Sequence, residues 1–305
     1  MTKNTVAQFC AIAAVVALPT LSFAGTPAKK CCAPAPEKLA ESAITGDIGV
    51  NVVSAYYSRG VVNVDHSASF QPYLDLNFKA YQGDGFINKA VVGLGLWNSF
   101  SDTGSHKKPV VAGSSTTNTW YESDFLPSIA LTSGKFTLTE TFLIDTYPGD
   151  TAKTALGLQS KLAFDDSDLL GAFALHPAFT HVAEFEGKVG NGGPVGNTPG
   201  RAAGTNQKEG NYWELSIAPG TAVGPINVTL PMALAFGTNG FYNKNGYGYF
   251  SAGLNLAYTL PVSKSYGTWT ANTGVTYYNT ANGLNNATQT PQNDVVVSAG
   301  LGLAF

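Results

Sequence analysis

The sequence predicts an all-β fold: a transmembrane, antiparallel, up-and-down β-barrel of about twelve strands, closed by pairing of the first strand with the last. Three observations predict it. Hydrophobicity alternates with a period of two along most of the chain, the alternating segments are long, and the links between them are alternately long and short. The final segment displays the pattern. Val295, Val297, Ala299, Leu301, Leu303 and Phe305 share one parity, while Val296, Ser298, Gly300, Gly302 and Ala304 hold the other. Successive strand side chains point to opposite faces, so one face is oily and the other small and polar. Small polar side chains cannot fill a dry core, and oily rows this continuous cannot face water. Lipid outside and a wet lumen inside satisfy both, and an open sheet edge is forbidden in lipid, so the sheet must close.

The start of the chain reads as a secretory signal over residues 1–24. Lys3 gives the positive n-region, and Phe9 to Leu18 is an apolar core well short of the ~20 residues that span a bilayer. Pro19 ends the run, and Ser22-Phe23-Ala24 places small residues at the cleavage positions, so the mature chain is expected to begin at Gly25. Cleavage removes one lysine and no acid, which moves the net charge from -3 to about -4. Residues 25–44 are rich in Pro, Ala and Lys and read as a flexible tail, with 45–305 as the barrel. Cys31 and Cys32 are adjacent in that tail; they are either idle or form a vicinal or interchain disulfide, and two cysteines make neither a disulfide framework nor a zinc site. Only 12% of residues are charged and no basic face exists, which argues against a nucleic-acid partner.

Twelve strand-like segments follow. The first, Asp47–Arg59, sets Ile48, Val50, Val52 and Tyr56 on one face. The second, Ser69–Tyr81, sets Phe70, Leu74, Leu76 and Phe78 against Gln71, Tyr73, Asp75, Asn77 and Lys79. The third, Phe86–Phe100, sets Val92, Leu94 and Leu96 against Lys89, Gly93, Gly95 and Trp97. The fourth, Thr119–Thr132, sets Tyr121, Phe125, Ile129 and Leu131 against Glu122, Asp124 and Ser128. The fifth, Phe136–Tyr147, sets Leu138, Phe142 and Ile144 against three threonines and Asp145; the sixth, Ala152–Phe164, sets Leu156, Leu158 and Leu162 against Lys153, Gln159 and Lys161. The seventh, Ala172–Glu186, sets Phe173, Leu175, Phe179 and Phe185 against His176, Thr180, Glu184 and Glu186. The eighth, Asn211–Ala222, sets Trp213, Leu215 and Ile217 against Glu214 and Ser216, and the ninth, Ile226–Thr238, alternates without a break. The tenth, Tyr247–Leu260, the eleventh, Thr268–Tyr278, and the segment ending at Phe305 complete the set. At 11–15 residues most segments exceed the ~9–11 that cross a bilayer at the usual tilt. Long links follow strands three, seven and eleven, and short ones follow strands two, four, six and eight. Transmembrane barrels have long extracellular loops and short periplasmic turns, so an even strand count sends both termini to the periplasm.

This pattern resembles bacterial outer-membrane β-barrel proteins, specifically an uncharacterised porin-like family. Phe305, preceded by Leu303, Leu301 and Ala299, is similar to the signal read by the barrel assembly machinery of that membrane, and Tyr56-Tyr57-Ser58-Arg59-Gly60 is similar to a Tyr-x-x-Arg-Gly motif in the first strand of such a family. The resemblance implies an outer-membrane location, contact with its lipids and a transport role.

With the polar faces inward, the lumen is expected to hold Asp47, Asp75, Glu122, Asp124, Asp145, Glu184, Glu186 and Glu214 against Arg59, Lys79, Lys89, Lys153 and Lys161. A wet channel focuses the field of such side chains, so the acid excess predicts a weak cation preference; internal salt bridges that block the lumen remain the alternative. Trp97, Trp120, Tyr57 and Tyr73 are candidates for inward-facing aromatics. No cofactor or metal site is expected, since His176 and His181 differ in parity and make a poor pair. Nor is an enzyme: a hydrolase needs a serine beside a histidine, and the outward Ser160 is placed at the opposite rim from the outward His181. Glu140 falls on the oily parity of strand five, which predicts either a bulge or a partner, with Ser160 as its neighbour and an oligomer interface as its shield. The expected function is passive diffusion of small hydrophilic solutes or ions through a lumen with no plug domain; the alternative is a structural or surface-interaction barrel with a blocked lumen, acting through its long loops.

Overall fold

A computed structural model of the chain describes residues 43–64, 67–102, 119–148, 154–186, 210–242, 245–282, 284 and 292–305, with the side chains of Glu186 and Gln292 excepted. Residues 1–24, expected to be a signal sequence, the stretch containing Cys31 and Cys32, Lys153 and most of 187–210 lie outside these residues.

Twelve staves form one closed antiparallel ring among the described residues. Eight are β1 (Ile44–Val53), β4 (Ser69–Gln82), β5 (Lys89–Phe100), β6 (Trp120–Ser133), β7 (Phe136–Thr146), β8 (Ala155–Phe164), β9 (Ala178–Glu186) and β14 (Gly246–Thr259). β15 (Thr268–Thr280) and β16 (Gln292–Ala304) add two more. The remaining two are interrupted: β10 (Asn211–Ile217) continues as β11 (Gly220–Val223), and β12 (Ile226–Thr229) continues as β13 (Met232–Gly237). The breaks fall at Pro219 and Pro231, which have no N–H for the ladder. Their carbonyls still accept, from Leu230 N–H and Gly253 N–H, each at 2.8 Å, so neither break opens the wall.

The ring closes where β1 pairs with β16, from Asp47 opposite Ala304 to Val53 opposite Ser298. Gly46 and Phe305 exchange both backbone hydrogen bonds, at 2.8 and 2.9 Å, and the Phe305 ring lies over the bare Cα of Gly46, where a Cβ would meet Cζ at 2.4 Å. The outer surface is oily. Leu94, Leu96, Ile129, Leu138, Phe142, Leu162, Phe179, Leu215, Phe250, Leu254, Val275 and Leu301 are all exposed, each on the apolar parity. Aromatic side chains mark both rims, with Tyr81, Phe136, Tyr266 and Phe305 at the end bearing the termini, and Phe70, Phe100, Trp120 and Tyr277 toward the other. Those girdles frame the apolar band expected of a barrel in a bilayer. No helix among the described residues is long and apolar enough to cross a membrane.

Four placements differ from the sequence-based expectation. The first stave ends at Val53, and Tyr56 is buried inside the barrel rather than on the oily face. A bulge at β5–β6 pairs Ser99 with Glu122 but Phe100 with Trp120; Tyr121, the extra residue, turns inward and is fully buried, while Trp120 faces out and stacks on Phe100 at 5.7 Å. Residues 172–177 belong to a turn, not to the seventh strand. The lumen also contains structure of its own. After β1 the chain bends at Ser54-Ala55 and forms a hairpin of β2 (Tyr56–Ser58) and β3 (Val61–Val64). All four β3 residues are buried.

The turn from β8 to β9 is organised by one carboxylate. Asp166 accepts backbone N–H bonds from Leu175 and His176, each at 2.9 Å, around the short helix α1 (Ser167–Leu170). Burial alone would raise this carboxyl, but the two backbone donors and nearby His176 more than offset it and hold it below its ordinary range. A group lowered in the folded state stabilises above its unfolded value, about 3.9, and that stability is lost as pH falls through the folded value. Protection of the Leu175 and His176 amides should therefore drop selectively in acid below the unfolded value, while the barrel ladder stays protected. Hydrogen exchange read by mass spectrometry checks this; equal protection at pH 7 and in acid would contradict the role given to Asp166.

Candidate functional site

The hairpin turn is Arg59-Gly60, with φ of 48° and 80°. Two consecutive left-handed residues make the tight turn that matches strand twist, and Gly supplies the second at little steric cost. The hairpin crosses the lumen. On one side the Tyr56 ring packs 5.1 Å from Trp97 of β5 and 6.3 Å from Tyr121 of β6. On the other, Tyr57 stacks on Tyr278 of β15 at 4.5 Å and donates to Asp294 of β16 at 2.6 Å. The tip reaches a third part of the wall, where the Tyr242 hydroxyl donates to the Arg59 carbonyl at 2.8 Å and Gly60 lies against the Tyr249 ring. Tyr242 comes from α2 (Asn239–Tyr242), a short turn after β13 that also folds inward, with Phe241 and Tyr242 packed on Tyr212.

Arg59 thus belongs to the hairpin tip, not to a wall strand. It lies in the field of Asp145 and Asp124. Glu122, Asp124 and Asp145 converge there, each offering a carboxylate oxygen within 4.8 Å of the others. Register brings them together: Asp124 and Asp145 are direct partners across β6–β7, and Glu122 lies two residues before Asp124 on the same face of β6. Asp124 Oδ1 is buried without a hydrogen-bond partner. A cavity of about 310 Å³ opens beside this cluster, lined by Tyr56, Tyr57, Ser58, Arg59, Trp97, Leu126, Thr141, Leu143 and Gln159 with the three acids.

The other predicted lumen residues are spread along the wall. Glu214 accepts from the Tyr212 hydroxyl and from the Tyr249 hydroxyl at 2.5 Å, and interacts with Lys161. Glu184 is buried against Gly210, whose bare Cα also faces the backbone of Phe241. Asp47 and Asp75 are register partners across β1–β4, with Asp47 hydrogen-bonded to Tyr73. Lys79 and Lys89 lie near the rim at the end bearing the termini. The side chain of Glu186 and all of Lys153 fall outside the described residues. The tyrosine shell of the hairpin escaped sequence reasoning. The one signal for it was Arg59-Gly60, a turn-forming pair inside what otherwise reads as strand.

On the outer face, Ser160 and His181 are direct register partners across β8–β9, which corrects their predicted separation. Because the seventh stave starts at Ala178, His181 lies as close to the terminal end as Ser160 does. Ser160 Oγ donates to Glu140 Oε2 at 2.7 Å, and the His181 ring lies 2.9 Å, through Nε2, from Asn211 Oδ1. An acyl-transfer site needs the nucleophile to donate to its base and free donors for an oxyanion. Here the serine proton is directed to Glu140, and both residues sit in paired ladders.

Gly60→Ala should loosen the plug. A Cβ there would lie 2.4 Å from Tyr249 Cδ1, on backbone with φ of 80°. A left-handed non-glycine residue costs about 1–2 kcal/mol before any clash. The expected result is a barrel of unchanged strand content whose Tyr57–Tyr278 contact is lost, read as faster proteolysis at residues 54–64; unchanged cleavage would argue against a packed hairpin.

No family model matches the chain, and no curated protein does. Solved structures do. The NanC porin is 9% identical with a TM-score of 0.46, covering 85% of this chain and 98% of its own. OprB of Pseudomonas putida is 8% identical with a TM-score of 0.40, covering 86% and 94%. Outer membrane phospholipase A of Escherichia coli is 12% identical with a TM-score of 0.38, covering 85% and 92%. The assignment rests on the chain's own geometry: a twelve-stave ring closed through β1 and β16, oily outside and polar inside, makes it a transmembrane β-barrel.

Proposed function

We propose that the protein is an outer-membrane channel, with both termini periplasmic, that passes small hydrophilic solutes or ions by passive diffusion with a weak preference for cations and catalyses no reaction. The single observation that carries this reading is the constriction at the hairpin tip, where three carboxylates within 4.8 Å of one another face one guanidinium. Low-dielectric walls focus the field of such a cluster on whatever shares the lumen, and an acidic ring favours cations. Below the hairpin, small and polar side chains such as Gly93, Ser128, Asn272 and Gly300 line the wall. The hairpin argues for solutes smaller than those that wide sixteen-strand porins pass. A second reading, favoured by the buried contacts of the same hairpin, is a barrel whose lumen is closed and whose loops do the work.

Planar-bilayer recording separates them. The open-channel reading expects discrete conductance steps and a reversal potential in a salt gradient that favours potassium over chloride. Replacing Glu122, Asp124 and Asp145 with Gln, Asn and Asn should bring the permeability ratio to about one, and Arg59→Gln should raise it, since a focused field scales with the charge that makes it. A wild-type barrel that inserts but stays silent, and conducts only when residues 56–64 are replaced by a short Gly-Ser link, would establish the closed-lumen reading instead.

A further inference from the structure

We propose that the outward row Glu140, Ser160, His181 and Asn211 is the contact between copies of this chain in the membrane. The four residues come from four successive staves, β7 to β10, and form two hydrogen-bonded pairs: Ser160 Oγ to Glu140 Oε2 at 2.7 Å, and His181 Nε2 with Asn211 Oδ1 at 2.9 Å. Glu140 pairs in register with Ser160, and Ser160 with His181, so these three are continuous across the wall, while Asn211 lies diagonal to His181, two residues before its register partner Trp213.

Glu140, Ser160 and His181 interrupt the oily band instead of edging it. On β7 the outward neighbours of Glu140 are Leu138 and Phe142, and on β8 those of Ser160 are Leu158 and Leu162. On β9 Phe179 precedes His181, and Phe185 lies beyond it. Acyl chains offer no hydrogen bonds, so a carboxylate and an imidazole there need polar company that lipid cannot supply. The internal hydrogen bonds satisfy one carboxylate oxygen and one ring nitrogen, which leaves the second atom of each to find a partner elsewhere.

Charge placement identifies that partner. The acid lies on the β7 flank of Ser160 and the base on the β9 flank. Closed oligomers in a membrane turn about an axis along its normal, and any such axis sets one flank of a copy against the opposite flank of the next. The β7 flank of one copy then meets the β9 flank of its neighbour, acid toward base, and both polar groups leave the lipid. A lipid headgroup is a poorer fit, because Glu140, Ser160 and His181 have apolar residues on both sides along their strands.

The test uses the full mature chain in nanodiscs, with native mass spectrometry as the readout. Wild type should be multimeric. Glu140→Leu and His181→Leu should each weaken the assembly by about tenfold or more, as truncating one member of a desolvated charged pair does. Both variants should still fold, because each removes a polar group from the lipid face; heat-modifiable mobility on a gel verifies the barrel. In a background with Cys31→Ser and Cys32→Ser, copies carrying Glu140→Cys should cross-link on oxidation to differently tagged copies carrying His181→Cys. Cysteines at Val92 and Leu254, on other parts of the wall, should not. A monomeric wild type, a multimer indifferent to both leucine variants, or cross-links that form equally from the control positions would each overturn the proposal.

Discussion

The structure depends on one constraint: inside lipid, every backbone N–H and C=O must find its partner within the protein. A sheet meets that condition only as a ring, so the joint between the first and last staves matters most. Gly46 and Phe305 make that joint, exchanging two backbone hydrogen bonds beneath an aromatic ring that needs a residue without a side chain under it. The same constraint explains why Pro219 and Pro231 are tolerated. Each lies at a break where its carbonyl still accepts and where the chain asks for no further donor.

A closed ring leaves a lumen, and this chain fills part of it with its own sequence. The hairpin after β1 is held by tyrosines from widely separated staves, through Tyr57 on Tyr278, Tyr56 against Tyr121 and Tyr242 bonded to Arg59. Phenols suit this task because each offers a flat apolar face for packing and a hydroxyl that reaches a polar partner. The hairpin sets the electrostatics of the cavity beside it, since it delivers one cation to three acids supplied by β6 and β7.

The outer wall carries the counterpart of that arrangement. A protein designed only to face lipid would place leucine at 140 and 181. The observed acid and serine bond to each other, the histidine bonds to the amide, and the acid, serine and histidine lie in register, so the row is organised and not a lapse in the pattern.

Alternation alone determined the class of the protein, the number of staves and which face of each meets lipid, because a period of two is a local property readable residue by residue. It carried Leu94, Ile129, Phe142 and Leu301 outward and Gln71, Asp145 and Glu214 inward. Tertiary structure decided what depends on register. The bulge that turns Tyr121 inward, the late start of β9 that sets His181 beside Ser160, and the meeting of Glu122 with Asp124 and Asp145 all follow from how far one strand slides along the next. The hairpin was concealed for a related reason: Tyr56 to Val64 has the composition of strand, and only the closed wall supplies the surfaces that hold it across the lumen. Slippage and in-folding are settled by contacts between residues distant in the chain, and no window of neighbouring residues contains them.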